Sequence, residues 1–309
     1  MKHGGALWVP DVPMLRDEPL AKYTAARIGG AADWLYIARG AESSATDALI
    51  RVITAAWREG LPVRVLGGGA NVLVSDAGVR GLVIIDRIAQ MTISGGAVTV
   101  SGGYGLTVLA HRLAGAGLSG FEWAVSVPGT VGGAVVNNAG AHQRDMAANV
   151  RQVRLIDADS GEYTMTLDAL AYGYRISSLK ARADRRFLVL SADLVFAHDD
   201  PAAIQARMDQ HIAYRKRTQP PGASLGSIFK NPPGDYAGRL IEACGLKGVA
   251  IGGAQVSPVH ANFFINRGGA ATAGEYDALI RHVQHRVHAQ TGVLLEPEIE
   301  RVGEWPEET

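Results

Sequence analysis

Two glycine-rich segments constrain the fold of this chain more than any other feature of its sequence. The first is VRVLGGGANVLVSDAG at residues 63–78, and the second is VPGTVGGAVVNNAGAH at residues 127–142. Glycine accounts for 38 of the 309 residues, about 12% against about 7% in average proteins. Because glycine lacks a Cβ, its backbone N–H groups can approach phosphate oxygens and form an anion-binding nest. Two such segments predict one extended phosphate-bearing cofactor, a dinucleotide or a similar molecule, lying over bare backbone.

The first segment matches the Rossmann dinucleotide motif poorly. That motif, Gly-x-Gly-x-x-Gly, opens a helix directly after a strand. Here Val72 occupies the place of the third glycine, and residues 72–74 read as a further strand. Asn71 and Ser75 offer side-chain donors instead. A glycine-rich turn without a ligand remains an alternative for this segment taken alone.

Charge balance and cysteine content exclude several classes of protein. Lys+Arg and Asp+Glu are each 30, whereas a protein that binds the phosphate backbone of nucleic acid usually carries a basic excess. A single cysteine, Cys244, excludes an internal disulfide framework and a Cys-rich zinc site. No apolar run approaches the ~18 residues of a spanning helix, and residues 1–20 lack a signal-peptide pattern. We therefore expect a soluble, cytoplasmic protein with no nucleic-acid or membrane partner.

Three histidines near the C-terminus suggest a metal site only at first sight. His282, His285 and His288 are spaced i, i+3, i+6 on a predicted helix. At that spacing they span too much of the helix circumference to converge on one ion, and no Cys or Asp accompanies them. We expect no metal.

Hydrophobic periodicity and capping residues predict a mixture of helices and strands. Helices are predicted at residues 44–60, 106–113, 201–217, 235–244 and 272–289, and strands at residues 61–66, 72–74, 82–85, 150–157, 187–196 and 293–302. The last helix opens with the capping box Thr272-x-x-Glu275, and Ser44 with Asp47 resembles a second capping pair. The break at residues 219–222, Gln-Pro-Pro-Gly, places a domain boundary on or just before the helix at 201–217.

Seven short motifs follow one another along the chain. They are YTAARIGGAAD (23–33), LGGGANVLVSD (66–76), EWAVSVPGTVGGAVVNNAGA (122–141), YGYRIS (172–177), GSIFKNP (226–232), GLKGVAIGGAQVSPVHANFFIN (245–266) and LEPEIERVG (295–303). Together they resemble the UDP-N-acetylenolpyruvoylglucosamine reductase (MurB) family, and the short spacing between Arg175 and Gly226 resembles its type II form. Ala25, Ala26 and Ala31 replace bulkier or proline residues often found around the Arg-Ile-Gly-Gly motif.

The resemblance implies an α+β protein in two parts. Its FAD-binding domain would be of the PCMH or vanillyl-alcohol-oxidase type with two lobes, followed by a smaller α+β substrate-binding domain. The implied boundaries are a lead-in at 1–22, the FAD domain at 23–200, the substrate domain at 201–303 and a tail at 304–309. FAD would bind without a covalent bond, held largely by backbone N–H groups. The implied FAD-binding residues are Arg27, Gly67, Gly68, Gly69, Asn71, Val72, Ser75, Pro128, Gly129, Thr130, Gly132, Gly133, Asn138 and Gly140.

The reaction that the resemblance implies has two halves. NADPH gives a hydride to FAD and leaves, and UDP-N-acetylglucosamine enolpyruvate then takes the hydride from flavin N5 at its vinyl carbon. An enolate-like carboxylate develops and must be stabilised, and a proton arrives at the neighbouring carbon. The product, UDP-N-acetylmuramate, would serve peptidoglycan synthesis, and with it cell-wall biogenesis, cell shape and division.

This chemistry requires an anion stabiliser and a proton donor. Arg175 in YGYRIS is the expected carboxylate clamp, because a guanidinium is always charged and can bind bidentately. Ser227 in GSIFKNP is the expected proton donor, whereas Ser224 is expected to serve loop structure. Glu298 in LEPEIE is the third residue that the family motif selects. We expect Glu298 to be protonated in the transition state, because an ionised carboxylate would repel the enolate.

The sequence also contains a set of polar positions in the last third that the resemblance places near the substrate. Glu296, Glu298 and Glu300 alternate, so all three should share one face of the strand predicted there. The expected substrate-binding residues are Tyr174, Lys230, Asn231, Gln255, His260 and Asn262; a core position remains the alternative for His260. We expect a monomer. The alternative functions are a different flavin oxidoreductase, a non-catalytic flavin- or sugar-nucleotide-binding module, and a nicotinamide-only Rossmann enzyme.

Overall fold

The computed structural model describes Val9 and residues 12–306. The helices are α1 (Ser43–Arg58), α2 (Leu106–Gly115), α3 (Val131–Asn137), α4 (Leu167–Leu170), α5 (Ser178–Ala181), α6 (Pro201–Thr218), α7 (Ala237–Ala243) and α8 (Ala273–Thr291). The strands are β1 (Leu15–Pro19), β2 (Ala31–Gly40), β3 (Val63–Leu66), β4 (Val72–Val74), β5 (Val79–Ile88), β6 (Met91–Ser94), β7 (Ala97–Ser101), β8 (Leu118–Ser119), β9 (Gly140–Ala141), β10 (Arg144–Asp145), β11 (Val150–Asp157), β12 (Gly161–Thr166), β13 (Phe187–Val195), β14 (Ala197–His198), β15 (Ser224–Ser227), β16 (Ala250–Ile251), β17 (Ala254–Val256), β18 (Phe263–Asn266) and β19 (Glu300–Val302). The mixed α+β content agrees with the fold class expected from the sequence.

The chain folds into two compact units, each assembled from separate stretches of sequence. Unit 1 contains the described residues before Asp17 together with Trp34–Gly68 and Gly81–Tyr214. Unit 2 contains Asp17–Asp33, Gly69–Arg80 and the described residues from Arg215 onward. The domains expected from the sequence are continuous stretches of chain, whereas these two units are interleaved. The expected domain boundaries stay a prediction. Of the expected lead-in, residues 1–8 and 10–11 lie outside the described residues, and β1 follows them; of the expected tail, residues 307–309 lie outside.

Unit 1 is built on an antiparallel sheet with the strand order β12-β11-β13-β7-β6. Helices α2 and α3 contribute to the same buried core, in which Phe121 and Trp123 are among the largest fully buried side chains. Their rings meet edge to face with centroids 5.0 Å apart. The core lies beneath the second glycine-rich segment and fixes the course of its backbone.

A second buried cluster of unit 1 lies under α1. The periodicity predicts Leu49, Ile53 and Trp57 on one face; Leu49 and Ile53 are buried, and Trp57 is partly buried against the same cluster. Val52 and Ala56 are buried beside them. The capping pair predicted for Ser44 and Asp47 is wrong, because α1 begins one residue earlier and its N-cap residue is Glu42, whose side chain caps no helical N–H. The sheet of order β1-β2-β5-β3 includes the parallel pair β3 and β5.

Unit 2 combines the antiparallel sheet β15-β18-β17-β16 with helices α7 and α8. The capping box predicted at Thr272 and Glu275 is present, with each side chain bonded to the backbone of the other residue. Asp76 reinforces this helix start by accepting the backbone N–H groups of Ala273 (2.8 Å) and Gly274 (2.9 Å). The carboxylate of Asp76, two residues after β4, thus caps α8, where the helix N-terminus favours a negative charge.

The final strand is much shorter than the predicted strand at 293–302. Only β19 pairs there, in parallel with β4, so that Glu300 lies opposite Val72. Pro297 interrupts the predicted strand because it has no N–H to give to a ladder; it forms an isolated bridge to Phe229 instead. The pairing of β4 with β19 also explains why Gly69–Arg80 belongs to unit 2.

Candidate active site

The first glycine-rich segment forms a row of available backbone donors. Within the described part of the chain, none of the five N–H groups of residues 67–71 donates to a protein acceptor. The segment bends continuously between β3 and β4 and contains no helical turn. Consecutive free N–H groups in a glycine-rich bend form an anion-binding nest. The segment therefore suits the pyrophosphate of a dinucleotide, and it does so without the helix of a Rossmann site.

The second glycine-rich segment packs directly against the first. A Cβ on Gly67 would overlap the Oγ1 of Thr130, and a Cβ on Gly68 would lie 2.5 Å from the Cα of Gly129. Glycine is needed at these positions because one backbone passes against the other with no space for a side chain.

We expect Gly68→Ala to lose bound flavin. The added Cβ meets backbone at 2.5 Å, so the two segments must separate and the nest must change shape. The flavin content of purified protein, read as the ratio of visible to protein absorbance, should fall well below that of the unaltered chain. Gly115→Ala is the matched control, because a Cβ on Gly115 meets nothing within 4 Å and its backbone is helical. Full flavin content in Gly68→Ala would contradict the role given to this contact.

The second segment adds further free polar groups. In the described residues, the N–H groups of Gly129 and Gly133 have no protein acceptor, and the buried Oγ of Ser126 has no hydrogen-bond partner. In the sequence, nothing distinguishes Ser126 except its position just before the segment. These groups, together with the N–H groups of Gly67 and Gly68 in the same unit, fit the FAD that the resemblance implies.

Several side chains predicted to touch FAD are engaged within the protein. Ser75 donates its hydroxyl to the carbonyl of Glu304, and Asn71 donates its amide to the carbonyl of Glu298 at 3.1 Å. Asn138, buried at the end of α3, donates to Asp145 and to the carbonyl of Gly173. These side chains therefore hold the backbone of the glycine-rich segments in place. For the other residues predicted to bind FAD, the contact with the cofactor stays a prediction. One of them, Arg27, is exposed and has a left-handed backbone conformation with φ 56°.

Arg175 lies in a tight turn that aims its guanidinium at the second glycine-rich segment. The turn is closed by the bridge between Gly173 and Ile176, and Arg175 has φ 58°. Its guanidinium donates to the carbonyl of Gly140 at 2.7 Å and to that of Asn138 at 3.4 Å. A non-glycine residue in this region is strained, and such strain is concentrated at functional sites. The sequence did not reveal this conformation, because nothing in YGYRIS marks a left-handed residue.

Tyr174 and Lys180 complete the surroundings of Arg175. The ring of Tyr174 is 55% exposed and lies 5.3 Å from the guanidinium carbon. Lys180 donates its ammonium to the carbonyl of Arg175 at 3.2 Å. This part of unit 1 therefore combines two cations with an exposed aromatic face, a combination suited to an anionic ligand with a planar group.

Ser227 ends β15 beside a glycine that bends the backbone. Gly226 has φ 74°, and Ser227 pairs with Phe263 of β18. The Ser227 hydroxyl makes no hydrogen bond with the described residues and is partly exposed. It is therefore available to a ligand.

Glu298 lies on the chain segment next to Ser227. The N–H of Glu298 donates to the carbonyl of Ile228 at 2.7 Å, and the N–H of Lys230 donates to the carbonyl of Glu296 at 2.9 Å. These two hydrogen bonds and the bridge between Phe229 and Pro297 align the two segments. Two of the three predicted catalytic residues thus lie on adjacent segments of unit 2, although they are 71 positions apart in the sequence.

The expectation that three glutamates share one face of a strand is wrong, because the strand itself is interrupted at Pro297. Glu296 is exposed and forms an ion pair with Lys230. Glu298 and Glu300 are half-buried, and Glu300 alone belongs to β19. The structure thereby distinguishes Glu298 from its two neighbours, which the alternation in the sequence could not do.

The predicted substrate-binding residues of the last third all lie in unit 2, and their side chains have different partners within the protein. Lys230 pairs with Glu296; Asn231 accepts the N–H of Ala237, the first residue of α7, at 3.1 Å. Gln255 donates to the carbonyl of Gly248 at 3.0 Å.

His260 and Asn262 are more deeply placed. Burial lowers the pKa of His260, whose Nδ1 accepts the N–H of Asn262 at 3.2 Å and whose ring packs on Phe263. Asn262 is buried, and both polar atoms of its amide bond to the backbone of Phe229. Its amide therefore faces the protein backbone.

Comparison with known proteins agrees with both parts of the site. Family models for an FAD binding domain and for the C-terminal domain of UDP-N-acetylenolpyruvoylglucosamine reductase match residues 41–166 and 217–302. A UDP-N-acetylenolpyruvoylglucosamine reductase of Synechococcus sp. (strain RCC307) is 43% identical over 299 residues, covering 95% of each chain. One of Bacillus velezensis is 40% identical over 293 residues, covering 94% of each chain.

A solved structure is similar over almost the whole chain. The UDP-N-acetylenolpyruvylglucosamine reductase (MurB) of Thermus caldophilus has a TM-score of 0.78 and 35% identity, covering 96% of this chain and 99% of its own. Across the described residues, no helix combines the length and apolar character needed to cross a membrane.

Proposed function

Because this chain belongs to the UDP-N-acetylenolpyruvoylglucosamine reductase family, we propose that Arg175, Ser227 and Glu298 carry its chemistry. The chain is an oxidoreductase with a PCMH-type FAD-binding fold. With FAD and NADPH, it reduces UDP-N-acetylglucosamine enolpyruvate to UDP-N-acetylmuramate in peptidoglycan precursor synthesis. The observation that most supports the residue assignment is the hydrogen bond from Glu298 N–H to the Ile228 carbonyl, next to Ser227.

The two glycine-rich segments would hold the cofactor. The N–H groups of residues 67–71 would bind the pyrophosphate, and Gly129, Gly133 and Ser126 would contact adjoining groups. When bound, FAD supplies to the vinyl carbon of the substrate the hydride that it received from NADPH. The neutral N–H donors of the nest need no counterion and keep their orientation, because each belongs to a backbone fixed by packing.

Arg175 would stabilise the negative charge that grows on the substrate carboxylate. Its guanidinium is oriented by the carbonyls of Gly140 and Asn138, and a guanidinium supplies charge-assisted hydrogen bonds to a carboxylate. Preorganised donors of this kind stabilise a developing anion without reorganising during the reaction. Tyr174 and Lys230, with Asn231, Gln255 and His260, would bind the rest of the sugar nucleotide.

Ser227 would give its proton to the carbon next to the new C–H bond. A serine hydroxyl is a weak acid, so it needs a neighbouring anion that becomes more basic as the reaction proceeds. The enolate-like carboxylate supplies that basicity, and the hydroxyl has no competing partner in the described residues. Glu298 would carry a proton toward the substrate carboxylate and share its charge.

We expect Glu298→Gln to slow the reduction of the sugar nucleotide by about 10²-fold, the lower range for losing one donor to a developing oxyanion. An amide can still donate a hydrogen bond but cannot share its proton with the carboxylate. Rapid mixing of reduced enzyme with the sugar nucleotide measures this step. Glu304→Gln is the control, because that exposed carboxylate pairs with Arg80 at the surface. Full turnover in Glu298→Gln would remove Glu298 from the proposal.

We also propose that the enzyme is a cytoplasmic monomer. The single cysteine suits a reducing compartment, and one chain supplies every residue assigned above. Light scattering of the flavin-loaded protein tests the monomer, with a mass of twice 32.6 kDa as the contrary result.

A further inference from the structure

Asn262 continues a strand ladder with its side chain. It is 3% exposed. Its Oδ1 accepts the N–H of Phe229 at 3.0 Å, and its Nδ2 donates to the carbonyl of the same residue at 2.8 Å. These are the two hydrogen bonds that a residue of a neighbouring strand would make with its backbone.

The side chain takes over where the backbone bonds between the two strands end, one residue after Ser227. Strands β15 and β18 are paired at Ser227 and Phe263. One step further, Ile228 donates to the carbonyl of Asn262 at 2.8 Å. Beyond that point the amide of Asn262 holds Phe229.

The opposite edge of the same segment is held by the residues around Glu298. Ile228 accepts the N–H of Glu298, and Lys230 donates to the carbonyl of Glu296. The segment that begins at Ser227 is thus hydrogen-bonded on both edges. On the β18 edge, the Asn262 amide is the one side chain among the described residues that bonds to the Phe229 backbone.

We propose that Asn262 is a positioning residue for the proton donor Ser227: its amide fixes the Phe229 backbone and thereby the distance from the Ser227 hydroxyl to the substrate. The inference rests on the proposed function, because it requires Ser227 to donate the proton. It replaces the direct substrate contact that the sequence suggested for Asn262.

Asn262→Asp tests this role with a minimal change of shape. A carboxylate still accepts the Phe229 N–H, but its second oxygen opposes the Phe229 carbonyl. We expect the reduced enzyme to transfer its hydride to the sugar nucleotide about 10²-fold more slowly, the effect of a misplacement near 1 Å. Reduction by NADPH should not change, because that half needs no proton from Ser227. If Asn262→Asp folds poorly, Asn262→Ser replaces it, because serine loses the bond to the Phe229 carbonyl without adding a charge. The same slowing of hydride transfer is expected.

Asn266→Asp is the matched control. Asn266 lies on the same strand, is 6% exposed, donates to the carbonyl of Ala26 at 2.9 Å and accepts the N–H of Ala271 at 2.9 Å. The same substitution there keeps the bond from Ala271 and opposes a carboxylate oxygen to the Ala26 carbonyl, which is the same defect at a similarly buried site that does not touch the Ser227 segment. It should lower the unfolding temperature comparably and leave both half-reactions intact.

A double variant separates positioning from a contact with the ligand. If Asn262 acts through Ser227, Asn262→Asp should slow Ser227→Ala no further. An additive loss, a raised Kd for the sugar nucleotide with an unchanged transfer rate, or an equal slowing in Asn266→Asp would each overturn the positioning role. If the unaltered reduced enzyme fails to react with the sugar nucleotide at all, the proposed function fails first, and that result is distinct from the other three.

Discussion

Ser227→Ala should slow reduction of the sugar nucleotide roughly 10³-fold, within the range that a positioned general acid contributes. The hydroxyl of Ser227 has no partner among the described residues and is partly exposed, so its removal takes away a reactive group without breaking a structural bond. Without the Ser227 hydroxyl, no positioned acid neutralises the charge that develops on the substrate as the hydride moves to the vinyl carbon, so the hydride transfer itself becomes slow. Reduction of the flavin by NADPH should proceed at the unaltered rate, since that half involves no such proton. Stopped-flow absorbance resolves the two halves in one experiment.

The neighbouring serine provides the control for this change. Ser224 begins β15, three residues before Ser227, and is likewise half-buried. Ser224→Ala should leave both half-reactions intact. Equal slowing in the two variants would mean that the strand is disturbed rather than a proton donor lost. An undiminished rate in Ser227→Ala would assign the proton to another group.

Arg175→Lys should slow the same half-reaction by about 10²- to 10³-fold, the usual cost of losing one preorganised donor to a developing oxyanion. Lysine keeps the positive charge but loses the planar fork that bonds the Gly140 carbonyl and that matches the geometry of a carboxylate. Both residues are L-amino acids of similar length, so the strain at φ 58° is the same in each and cancels from the comparison. The measured loss then reports hydrogen-bond geometry.

Comparison of binding and rate shows what Arg175 stabilises. We expect the transfer rate to fall with little change in Kd for the sugar nucleotide, because the interaction strengthens as charge develops. Arg154→Lys is the control, since Arg154 forms an exposed pair with Glu162. A weaker Kd with a normal transfer rate would show that Arg175 binds the ground-state carboxylate and leaves the transition state to other groups.

Local patterns of the sequence predicted the local parts of this fold correctly. The helix at 272–289 with its capping box, the strand at 72–74 and the buried face of α1 all depend on residues within a few positions of one another. Hydrophobic periodicity and capping residues predict such local contacts directly. The anion-binding chemistry of the glycine-rich segments was predictable for the same reason, because the absence of a Cβ exposes the backbone N–H of the glycine itself.

The connections that assemble the site were not predictable, because they are formed by residues distant in sequence. Asn71 bonds Glu298 across 227 positions, and Ser75 bonds Glu304 across 229. The alternation of glutamates suggested a strand, but Pro297 interrupts it and turns the segment toward Phe229. No local signal distinguishes a serine that fixes backbone from one that awaits a ligand.

The interleaved units have the same origin. Glycine and proline mark a boundary near residue 219, yet Asp17–Asp33 and Gly69–Arg80 belong with the C-terminal third. Their membership follows from the parallel pairing of β4 with β19 and from the Asp76 bonds to the start of α8. Register between distant strands depends on tertiary packing rather than on propensity.

One measurement tests the central claim most directly: the visible spectrum of the purified protein under anaerobic conditions, before NADPH, after NADPH and after UDP-N-acetylglucosamine enolpyruvate. The account predicts a yellow protein that NADPH bleaches and the sugar nucleotide recolours. Bleaching without recolouring would keep a flavoenzyme and remove the substrate. A colourless protein that cannot be reconstituted with FAD would contradict the cofactor site built from residues 67–71 and 127–142.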